Sequence, residues 1–210
     1  MADFNAMQEA LVACDQDKLT ALVNGAVGEG VAASEILNKG LIAGMDIVGE
    51  KMESGDMFIP EVLMAAQTMA ACLEIIKPLL GDDESSAAAT VVIGTVKGDL
   101  HDIGKNLVAM MMESAGMKVV NLGVDIDPEQ FVAQIKDNNA SIVCLSALLT
   151  TTMVMMKETI DAISEAGLRE QVKIMIGGAP VTQAYADEIG ADGFAPDAGS
   201  AAKLAKKLAA

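Results

Sequence analysis

Histidine, arginine and tryptophan are nearly missing from this sequence. Its 210 residues contain one histidine, one arginine and no tryptophan, and aromatic residues make up only 2%. A single arginine excludes the cluster of guanidinium groups that often binds a free phosphate or carboxylate substrate through paired hydrogen bonds. With so few rings, any flat ligand must be covered by aliphatic side chains and by the fifteen methionines.

Basic residues are also scarce. The sequence has 14 Lys and Arg against 30 Asp and Glu, a formal net charge of −16. This charge repels phosphate backbones and anionic lipid alike, so we expect neither a nucleic-acid partner nor a membrane partner. Residues 138–156 carry no charge, but their several Asn, Ser and Thr side chains are typical of a buried strand that runs into a loop.

The three cysteines are too few and too widely spaced for a disulfide framework or a paired-cysteine metal site. Cys14, Cys72 and Cys144 each lie among apolar residues, which predicts buried free thiols. The N-terminal residues MADFNAMQEA lack the basic and then apolar run of a signal peptide. We therefore expect a cytoplasmic protein.

Apolar residues recur at helical spacing through residues 5–80, which predicts a bundle of about four helices in a domain over residues 1–84. One stripe consists of Leu37, Leu41, Met45, Val48 and Met52, and a second of Val62, Ala66, Met69, Leu73, Ile76 and Leu80. Pro60 suits the first turn of the second helix, and Pro78 with Gly81 ends it. The charged and then small residues that follow indicate a linker, which we place at 85–89.

Residues 90–210 show a different spacing of apolar residues and form a second predicted domain. Short runs rich in β-branched residues alternate with helical segments of about a dozen residues, which favours a parallel sheet covered by helices. The runs are 90–95, 118–123, 141–146, 172–178 and 191–194. The predicted fold class is therefore α/β, an N-terminal four-helix bundle followed by a Rossmann-like (flavodoxin-like) parallel five-stranded sheet.

The only histidine, His101, lies in GTVKGDLHDIGKN (94–106), directly after the first predicted strand. Ligands of such sheets bind at the carboxyl ends of the strands. Asp99 can hold one ring nitrogen of His101 and leave the other free. A lone histidine is more often solvent-exposed or a satisfied core residue, and it cannot form a conventional metal site. It could ligate a metal that brings its own equatorial ligands, as in haem or cobalamin.

Two further segments distinguish these cofactors. SALLT (146–150) follows the third predicted strand and Gly177 with Gly178 follows the fourth, so small and hydroxyl side chains line neighbouring strand ends. They describe a narrow slot at the sheet edge. Haem has no long appendage to fill such a slot, whereas cobalamin has a nucleotide tail.

The three segments together resemble a known motif. DLHDIG (99–104), SAL (146–148) after 41 intervening residues and GG (177–178) after 28 more are similar to the DxHxxG, SxL, GG pattern of domains that hold cobalamin base-off with histidine on cobalt. Residues 34–205 resemble the corrinoid proteins of anaerobic methyltransferase systems and the cobalamin module of methionine synthase. GMDIVGEKMESGDMFIPEV (44–62) is similar to the helical cap of that family.

The resemblance implies a role for each motif residue. His101 is the lower axial cobalt ligand, Asp99 bonds its other nitrogen, and Thr152 stands where the family usually has a serine that completes this hydrogen-bond chain. The other residues expected to contact the cofactor are Gly98, Asp102, Ile103, Gly104, Ser146, Leu148, Thr150, Gly177 and Gly178. In the cap, Met52, Ile59 and Val62 would cover the methyl-bearing face of the corrin, although ordinary bundle core is an equally good interpretation of these three.

The implied function is that of a corrinoid methyl carrier. It would accept a methyl group on cobalt(I) from a substrate-specific methyltransferase and donate it to a second methyltransferase with a tetrahydrofolate or thiol acceptor, with a reductive activase as a further partner. We expect no complete reaction from the chain alone. The alternatives are a cobalamin-dependent sensor or regulator, the small subunit of an adenosylcobalamin mutase, and a cofactor-free domain of the response-regulator type.

Overall fold

The computed structural model describes residues 2–80 and 89–209. These residues fall into two compact units, the first comprising 2–80 with 114–116 and the second comprising 89–113 with 117–209. The predicted linker at 85–89 lies outside the described residues except for Ala89. The predicted domain limits, 1–84 and 90–210, stay predictions.

The first unit is helical, as the apolar stripes predicted. Its elements are α1 (Phe4–Val12), α2 (Gln16–Gly28), α3 (Ala33–Glu35), a π-helical segment (Ile36–Ile42), α4 (Ala43–Ser54), α5 (Ile59–Ile76) and a 3₁₀ turn (Lys77–Leu79). The side chains of Asp3 and Asp15 accept hydrogen bonds from backbone N–H groups in the first turns of α1 and α2 and so cap both helices. Pro60 lies in the first turn of α5, where its missing N–H costs nothing.

The segment between α3 and α4 differs from the prediction. The stripe from Leu37 to Met52 predicted one regular α-helix, but Ile36–Ile42 forms a π-helix, whose turns are wider. Ile36, Gly40 and Leu41 are buried there, while Leu37 is only partly buried. The π-helical segment was not predicted, because a stripe with a period of 3.6 residues does not reveal one wider turn.

Helix α5 is the most apolar element of the first unit. Among the described residues, Ile59–Leu79 is the one helical stretch whose length and composition would allow it to cross a membrane, a property that core helices of soluble proteins share. Val62, Met69, Cys72 and Ile76 on this helix are fully or almost fully buried. Burial against other helices of the bundle therefore accounts for the apolar composition of α5.

The cysteines carry free thiols. Cys72 and Cys144 are buried as predicted, and burial raises the pKa of the Cys144 thiol to about 12, so that this thiol stays protonated and unreactive. Cys14 is only half-buried. The prediction of a buried thiol is therefore wrong for Cys14, because the residue follows the end of α1 with a φ of 56° instead of lying within a packed helix face.

The second unit is built on a parallel sheet. Its strands are β1 (Thr90–Thr95), β2 (Lys118–Asn121), β3 (Ile142–Ser146), β4 (Lys173–Gly177) and β5 (Gly193–Phe194). The helices between and after them are α6 (Ile103–Ser114), α7 (Pro128–Asn138), α8 (Val154–Glu165), α9 (Gln183–Ile189) and α10 (Ala198–Ala209). The strand order is β2-β1-β3-β4-β5, and the predicted five-stranded α/β fold is confirmed.

Both faces of the sheet are buried. Val92, Val143 and Ile174 belong to a buried cluster that includes residues of α7, α8 and α9. Side chains alternate across a strand, so their neighbours Val91 and Ile142 point to the opposite face, and these are fully buried too. Burial on both faces explains why the strands are continuous apolar runs rather than alternating ones.

The order of the strands indicates which part of the sheet edge can bind a ligand. The chain moves outward from β1 to β2 on one side and then returns to add β3 on the other, so the loops after β1 and β3 diverge at their carboxyl ends. Such switch points form the binding crevices of open α/β sheets. Thr95 at the end of β1 pairs with Ser146 at the end of β3, and Ser146 pairs with Gly177 at the end of β4.

We predict that Gly94→Ala destabilises the protein through one contact. A Cβ atom at Gly94 would lie 2.7 Å from Cζ of Phe131, a fully buried ring. We expect a loss of about 1–3 kcal/mol in the free energy of unfolding, as for other overpacked cores. Combined with Phe131→Leu, which makes room, the loss should be smaller than the sum of the two single losses.

Chemical denaturation of the four proteins in this cycle measures the effect. Gly25→Ala in α2 is the matched control, because a Cβ there meets nothing within 4 Å and alanine is the better helix former. Strict additivity of Gly94→Ala and Phe131→Leu would contradict the prediction.

Candidate functional site

The structure brings the three sequence segments to one edge of the sheet. The loop with His101 follows β1, the loop with Leu148 and Thr150 follows β3, and Gly178 follows β4. These are neighbouring strands with their carboxyl ends in register. The three segments therefore lie at one edge of the sheet, although they come from distant parts of the sequence.

The His101 imidazole is held by one nitrogen. Its Nδ1 lies 2.7 Å from Oδ1 of Asp99, and the same oxygen accepts a hydrogen bond from the His101 backbone N–H at 3.1 Å. A neutral imidazole has one N–H, so the carboxylate favours the proton on Nδ1. Nε2 has no hydrogen-bond partner among the described residues, and the side chain is 51% exposed. The imidazole is thus oriented to offer a lone pair from Nε2.

Asp99 is fully buried and accepts hydrogen bonds through both oxygens. Oδ2 accepts from Thr152 Oγ1 at 2.7 Å and from the backbone N–H groups of Leu148 at 2.8 Å and Leu149 at 3.2 Å. Burial raises the pKa of the Asp99 carboxyl, but the hydrogen bonds from Thr152, His101 and Leu148 outweigh this effect and bring the pKa well below its ordinary value. Asp99 is therefore a stably ionised carboxylate.

Thr152 lies where the serine of the family pattern was expected, and its hydroxyl bonds Asp99. Oγ1 is also 2.9 Å from the carbonyl oxygen of Leu149, but one hydroxyl hydrogen serves one strong bond, and the charged carboxylate is the better acceptor. The extra methyl group of threonine points toward Gly98, where an added Cβ would be 3.7 Å away. That distance is an ordinary van der Waals contact, so the methyl group is not crowded and threonine fits in place of serine.

The loops after β3 and β4 approach each other closely. A Cβ at Gly178 would lie 1.8 Å from the carbonyl oxygen of Ala147, and the φ of Gly178 is +132°. Only glycine fits there. A Cβ at Gly104, by contrast, would meet nothing within 4 Å, so the start of α6 is open to a ligand. Gly178 therefore allows the two loops to pack closely, whereas Gly104 leaves open space.

Large apolar side chains are exposed in the two loops that carry His101 and Leu148. Leu100 is 70% exposed and Ile103 is 78% exposed, and both flank His101 in sequence. Leu148 and Leu149, whose N–H groups bond Asp99, are partly exposed as well. Several exposed apolar side chains in the loops that hold an unbonded imidazole nitrogen are typical of a ligand-binding face.

The remaining predicted residues lie at the same edge with varied exposure. Asp102 is exposed, and its Oδ2 accepts a hydrogen bond from Asn106 Nδ2 at 3.0 Å. Ser146 is half-buried at the end of β3, and Thr150 is exposed. Thr150 also lines a groove of about 430 Å³ between α8 and α9 that includes Tyr185. That groove lies apart from the histidine loop.

The three predicted cap residues, considered within the first unit, differ in burial. Val62 is fully buried, Met52 is half-buried and Ile59 is 44% exposed. Their contact with a cofactor stays a prediction. Sequence reasoning did not select Phe58, whose side chain is 68% exposed immediately before α5. The available signal was an aromatic residue directly before a proline-containing first helical turn.

Sequence reasoning also missed Thr95 and Asp125. The fully buried Thr95 donates from Oγ1 to the carbonyl oxygen of His101 at 2.8 Å, and Asp125 Oδ1 accepts from the Gly98 N–H at 2.7 Å. Thr95 ends a strand, and Asp125 precedes a helix that starts with Asp127 and Pro128. Neither position carries a sequence signal that points to the histidine loop.

The donor set fits a corrinoid. Over residues 2–80 and 89–209, no group of three or more His, Cys, Asp or Glu side chains is placed to hold a metal ion. A metal that arrives with most of its ligands already in the cofactor would need only one further donor from the protein, and the unbonded Nε2 of the exposed His101 could be that donor. The exposed leucine and isoleucine side chains suit the face of a large macrocycle, and the open start of α6 leaves space beside it.

We predict that the Thr152 hydroxyl stabilises the fold. Thr152→Val should lower the free energy of unfolding by about 1.5–3 kcal/mol, because one of the donors to a buried charge is lost. Thr152→Ser keeps the donor and should lose less than about 1 kcal/mol, the value of one buried methyl group. Denaturation of the cofactor-free proteins measures both, and equal losses would contradict the prediction.

We also predict a pH-dependent contribution from Asp99. Its folded-state pKa is depressed, so ionisation stabilises the fold above the unfolded-state pKa of about 3.9, and this contribution is lost as the pH falls below that value. Asp99→Asn should therefore lower the free energy of unfolding at pH 7 by on the order of 2 kcal/mol.

This difference between wild type and Asp99→Asn should shrink as the pH falls below about 4. Unfolding curves from neutral to acidic pH measure this difference. Asp161→Asn, at an exposed carboxylate on α8, is the control. A difference that is constant with pH would contradict the assignment.

Comparison with known proteins gives a consistent result. Two B12 binding domain models match the chain, one over residues 89–204 and the other over residues 4–77. Dimethylamine corrinoid protein 1 of Methanosarcina acetivorans is 46% identical over 202 residues, which cover 96% of this chain and 94% of the relative. A corrinoid protein of Desulfitobacterium hafniense is 41% identical over 99% of this chain and 98% of its own length.

Solved structures agree. A cobalamin-binding protein from Desulfitobacterium hafniense superposes with a TM-score of 0.87 at 34% identity, covering 99% of both chains. A chain of the methanol:cobalamin methyltransferase complex from Methanosarcina barkeri gives a TM-score of 0.84 at 28% identity, covering 98% of this chain and 79% of the other. With a domain model matched over more than half of its residues and relatives similar along nearly its whole length, this chain belongs to the cobalamin-binding corrinoid proteins of methyltransferase systems.

Proposed function

We propose that this corrinoid-binding chain is a methyl carrier that shuttles between two methyltransferases. One would load it from a methylated substrate, and the other would unload it to tetrahydrofolate or to a thiol. The observation that carries the proposal is the His101 imidazole, which is fixed through Nδ1 by a buried carboxylate and offers an exposed Nε2. This arrangement suits an axial ligand that must bind in one orientation.

His101, Asp99 and Thr152 would act together beneath the cofactor. A bound corrinoid supplies a cobalt centre that takes up and releases a methyl group. His101 Nε2 would donate its lone pair to the metal of the bound cofactor, while Asp99 holds the proton on Nδ1. The ionised Asp99 would hold the Nδ1 proton in the same place whether or not Nε2 is bound to the cofactor. Thr152 keeps Asp99 ionised and in place throughout.

The strand ends would hold the rest of the cofactor. Ser146 and Thr150 offer hydroxyl groups beside the predicted slot for the nucleotide tail, and Leu148 offers an apolar wall. Gly178 lets the loops after β3 and β4 meet at close range, which fixes the shape of the edge. On the histidine side, Gly98, Asp102, Ile103 and Gly104 would contact the macrocycle, and Ile103 has the largest exposed apolar side chain of this group.

The relatives support the choice of partners. Their names refer to dimethylamine and trimethylamine corrinoid proteins, and a solved neighbour is part of a methanol:cobalamin methyltransferase complex. We take a methylated amine as the first donor class to assay. A reductive activase that restores the reduced cofactor is a further proposed partner, and the cytoplasm is the proposed location. The chain's net charge of −16 is unfavourable for binding nucleic acid or anionic membranes.

We predict that His101→Ala separates cofactor retention from cobalt ligation. The variant should still bind cobalamin, because the residues proposed to hold the tail are unchanged, but it should lose the absorption spectrum of histidine-ligated cobalt. In the presence of a cognate methyltransferase and a ¹³C-labelled methylamine, transfer of the label to the protein-bound cofactor should fall at least tenfold, the effect of losing about 1.4 kcal/mol of stabilisation.

Anoxic reconstitution followed by absorption spectroscopy and ¹³C NMR measures both properties. Lys97→Gln, in the same loop but exposed, is the matched control and should behave as wild type. An unchanged spectrum in His101→Ala would contradict the ligand assignment. Failure of the wild type to take up cobalamin would contradict the proposed function as a whole.

A further inference from the structure

The loop that carries His101 is hydrogen-bonded to a second loop, which contains none of the predicted site residues. Residues 123–127 join β2 to α7 and run alongside residues 95–99. Backbone hydrogen bonds connect Thr95 N to Gly123 O and Ile126 N to Thr95 O, both at 3.0 Å. The segment that leads from β1 to His101 is thus fixed on one side by its neighbour in the sheet.

Of the hydrogen bonds between the two loops, those of Asp125 lie nearest to His101 in the sequence. Its Oδ1 accepts a hydrogen bond from Gly98 N–H at 2.7 Å, and its own N–H donates to the carbonyl oxygen of Asp99 at 3.0 Å. The two bonds run in opposite directions between the loops and hold the backbone on both sides of the Asp99 N–H. Since Asp99 orients His101, a shift of this backbone would move the imidazole.

The backbone of Asp125 is itself unusual. Its φ is +56°, a left-handed conformation that few residues other than glycine adopt, although aspartate and asparagine tolerate it best. Gly98, its partner, also has a positive φ of +80°. The two residues therefore form a matched pair of left-handed positions, and the N–H of one donates to the carboxylate of the other.

A neighbouring contact between the same two loops provides a comparison. Lys97 and Asp127 form an ion pair across the loops, but both side chains are exposed, and this contact joins the two side chains rather than the backbone of residues 98 and 99. Exposed ion pairs contribute little to stability. If the orientation of His101 required only that the two loops lie close together, losing this ion pair and losing the Asp125 contacts would have the same effect on it.

From this geometry we infer that Asp125 is a positioning residue, which sets the orientation of His101 toward cobalt by holding the Gly98–Asp99 backbone. The inference rests on the proposed role of His101 as the axial ligand. Asp125 acts through Asp99 and contacts neither the imidazole nor, in this scheme, the cofactor. It explains why a carboxylate occupies a left-handed position in which glycine would be easier to accommodate.

Two substitutions at Asp125 separate its acceptor from its backbone conformation. Asp125→Asn keeps a side-chain acceptor and tolerates the positive φ, whereas Asp125→Gly keeps the positive φ and removes the acceptor. Lys97→Gln is the matched control, because it breaks the neighbouring cross-loop ion pair only. Thermal unfolding of each variant verifies that it folds.

The first measurement uses the cofactor-free protein. His101 is the only histidine, so the ¹⁵N signals of its ring report one residue without ambiguity. At one mildly alkaline pH, wild type, Asp125→Asn and Lys97→Gln should show the proton on Nδ1. Asp125→Gly should show a mixture of tautomers, and amide exchange at Gly98 should accelerate about tenfold, the effect of losing one hydrogen bond.

The second measurement uses protein reconstituted with cobalamin under anoxic conditions. The ratio of histidine-ligated to unligated cobalt, followed by absorption, should fall about tenfold in Asp125→Gly and stay within about twofold of wild type in Asp125→Asn and Lys97→Gln. A general loosening of the loops would lower the ratio in Lys97→Gln too.

Three outcomes would overturn the inference. Asp125→Gly could match wild type in both measurements, Asp125→Asn could be impaired as strongly as Asp125→Gly, or Lys97→Gln could be impaired to the same degree. Failure of wild type to bind cobalamin would count against the proposed function instead, and the ring tautomer and amide exchange of the cofactor-free variants would then decide the role of Asp125 by themselves.

Discussion

The hydrogen bond between the buried carboxylate of Asp99 and Nδ1 of His101 is the contact on which the whole site depends. It selects which imidazole nitrogen is free, and it does so before any ligand arrives. The carboxylate can serve this purpose because its other oxygen is held by a hydroxyl and two backbone N–H groups. Burial without these donors would raise the pKa of the Asp99 carboxyl, and a protonated Asp99 would no longer favour one tautomer.

The sheet brings these donors together. Asp99 follows β1, and Thr152 is 53 residues further on, after β3. The two strands are neighbours, with Thr95 opposite Ser146, so their loops leave the same edge. Around this point the usual distribution of side chains is reversed, with a charge buried and leucine and isoleucine exposed. Such an inversion is costly for a protein alone and reasonable for one that covers the exposed side chains with a ligand.

Prediction from sequence succeeded where one residue type or one local period carries the signal. The strands were found from their β-branched runs, with ends that differ by up to two residues because the pairing partner decides where a strand stops. The π-helical segment at Ile36–Ile42 was missed, since its apolar residues also fit an α-helical stripe. Val62 and Ile59 shared one prediction, yet one is buried and the other partly exposed, because their places on α5 depend on the helices packed against it.

The sequence by itself determined the order of helices and strands, the single histidine and the motif that relates the chain to corrinoid proteins, since these follow from residue types at short spacing. Only the tertiary structure decided that Thr152 reaches Asp99, that Thr95 bonds the His101 carbonyl and that Asp125 accepts a hydrogen bond from Gly98. The physical reason is that the bonds from Thr152 and Asp125 join residues 53 and 27 positions apart. Their geometry exists only once β1 lies between β2 and β3, which no local pattern of residues encodes.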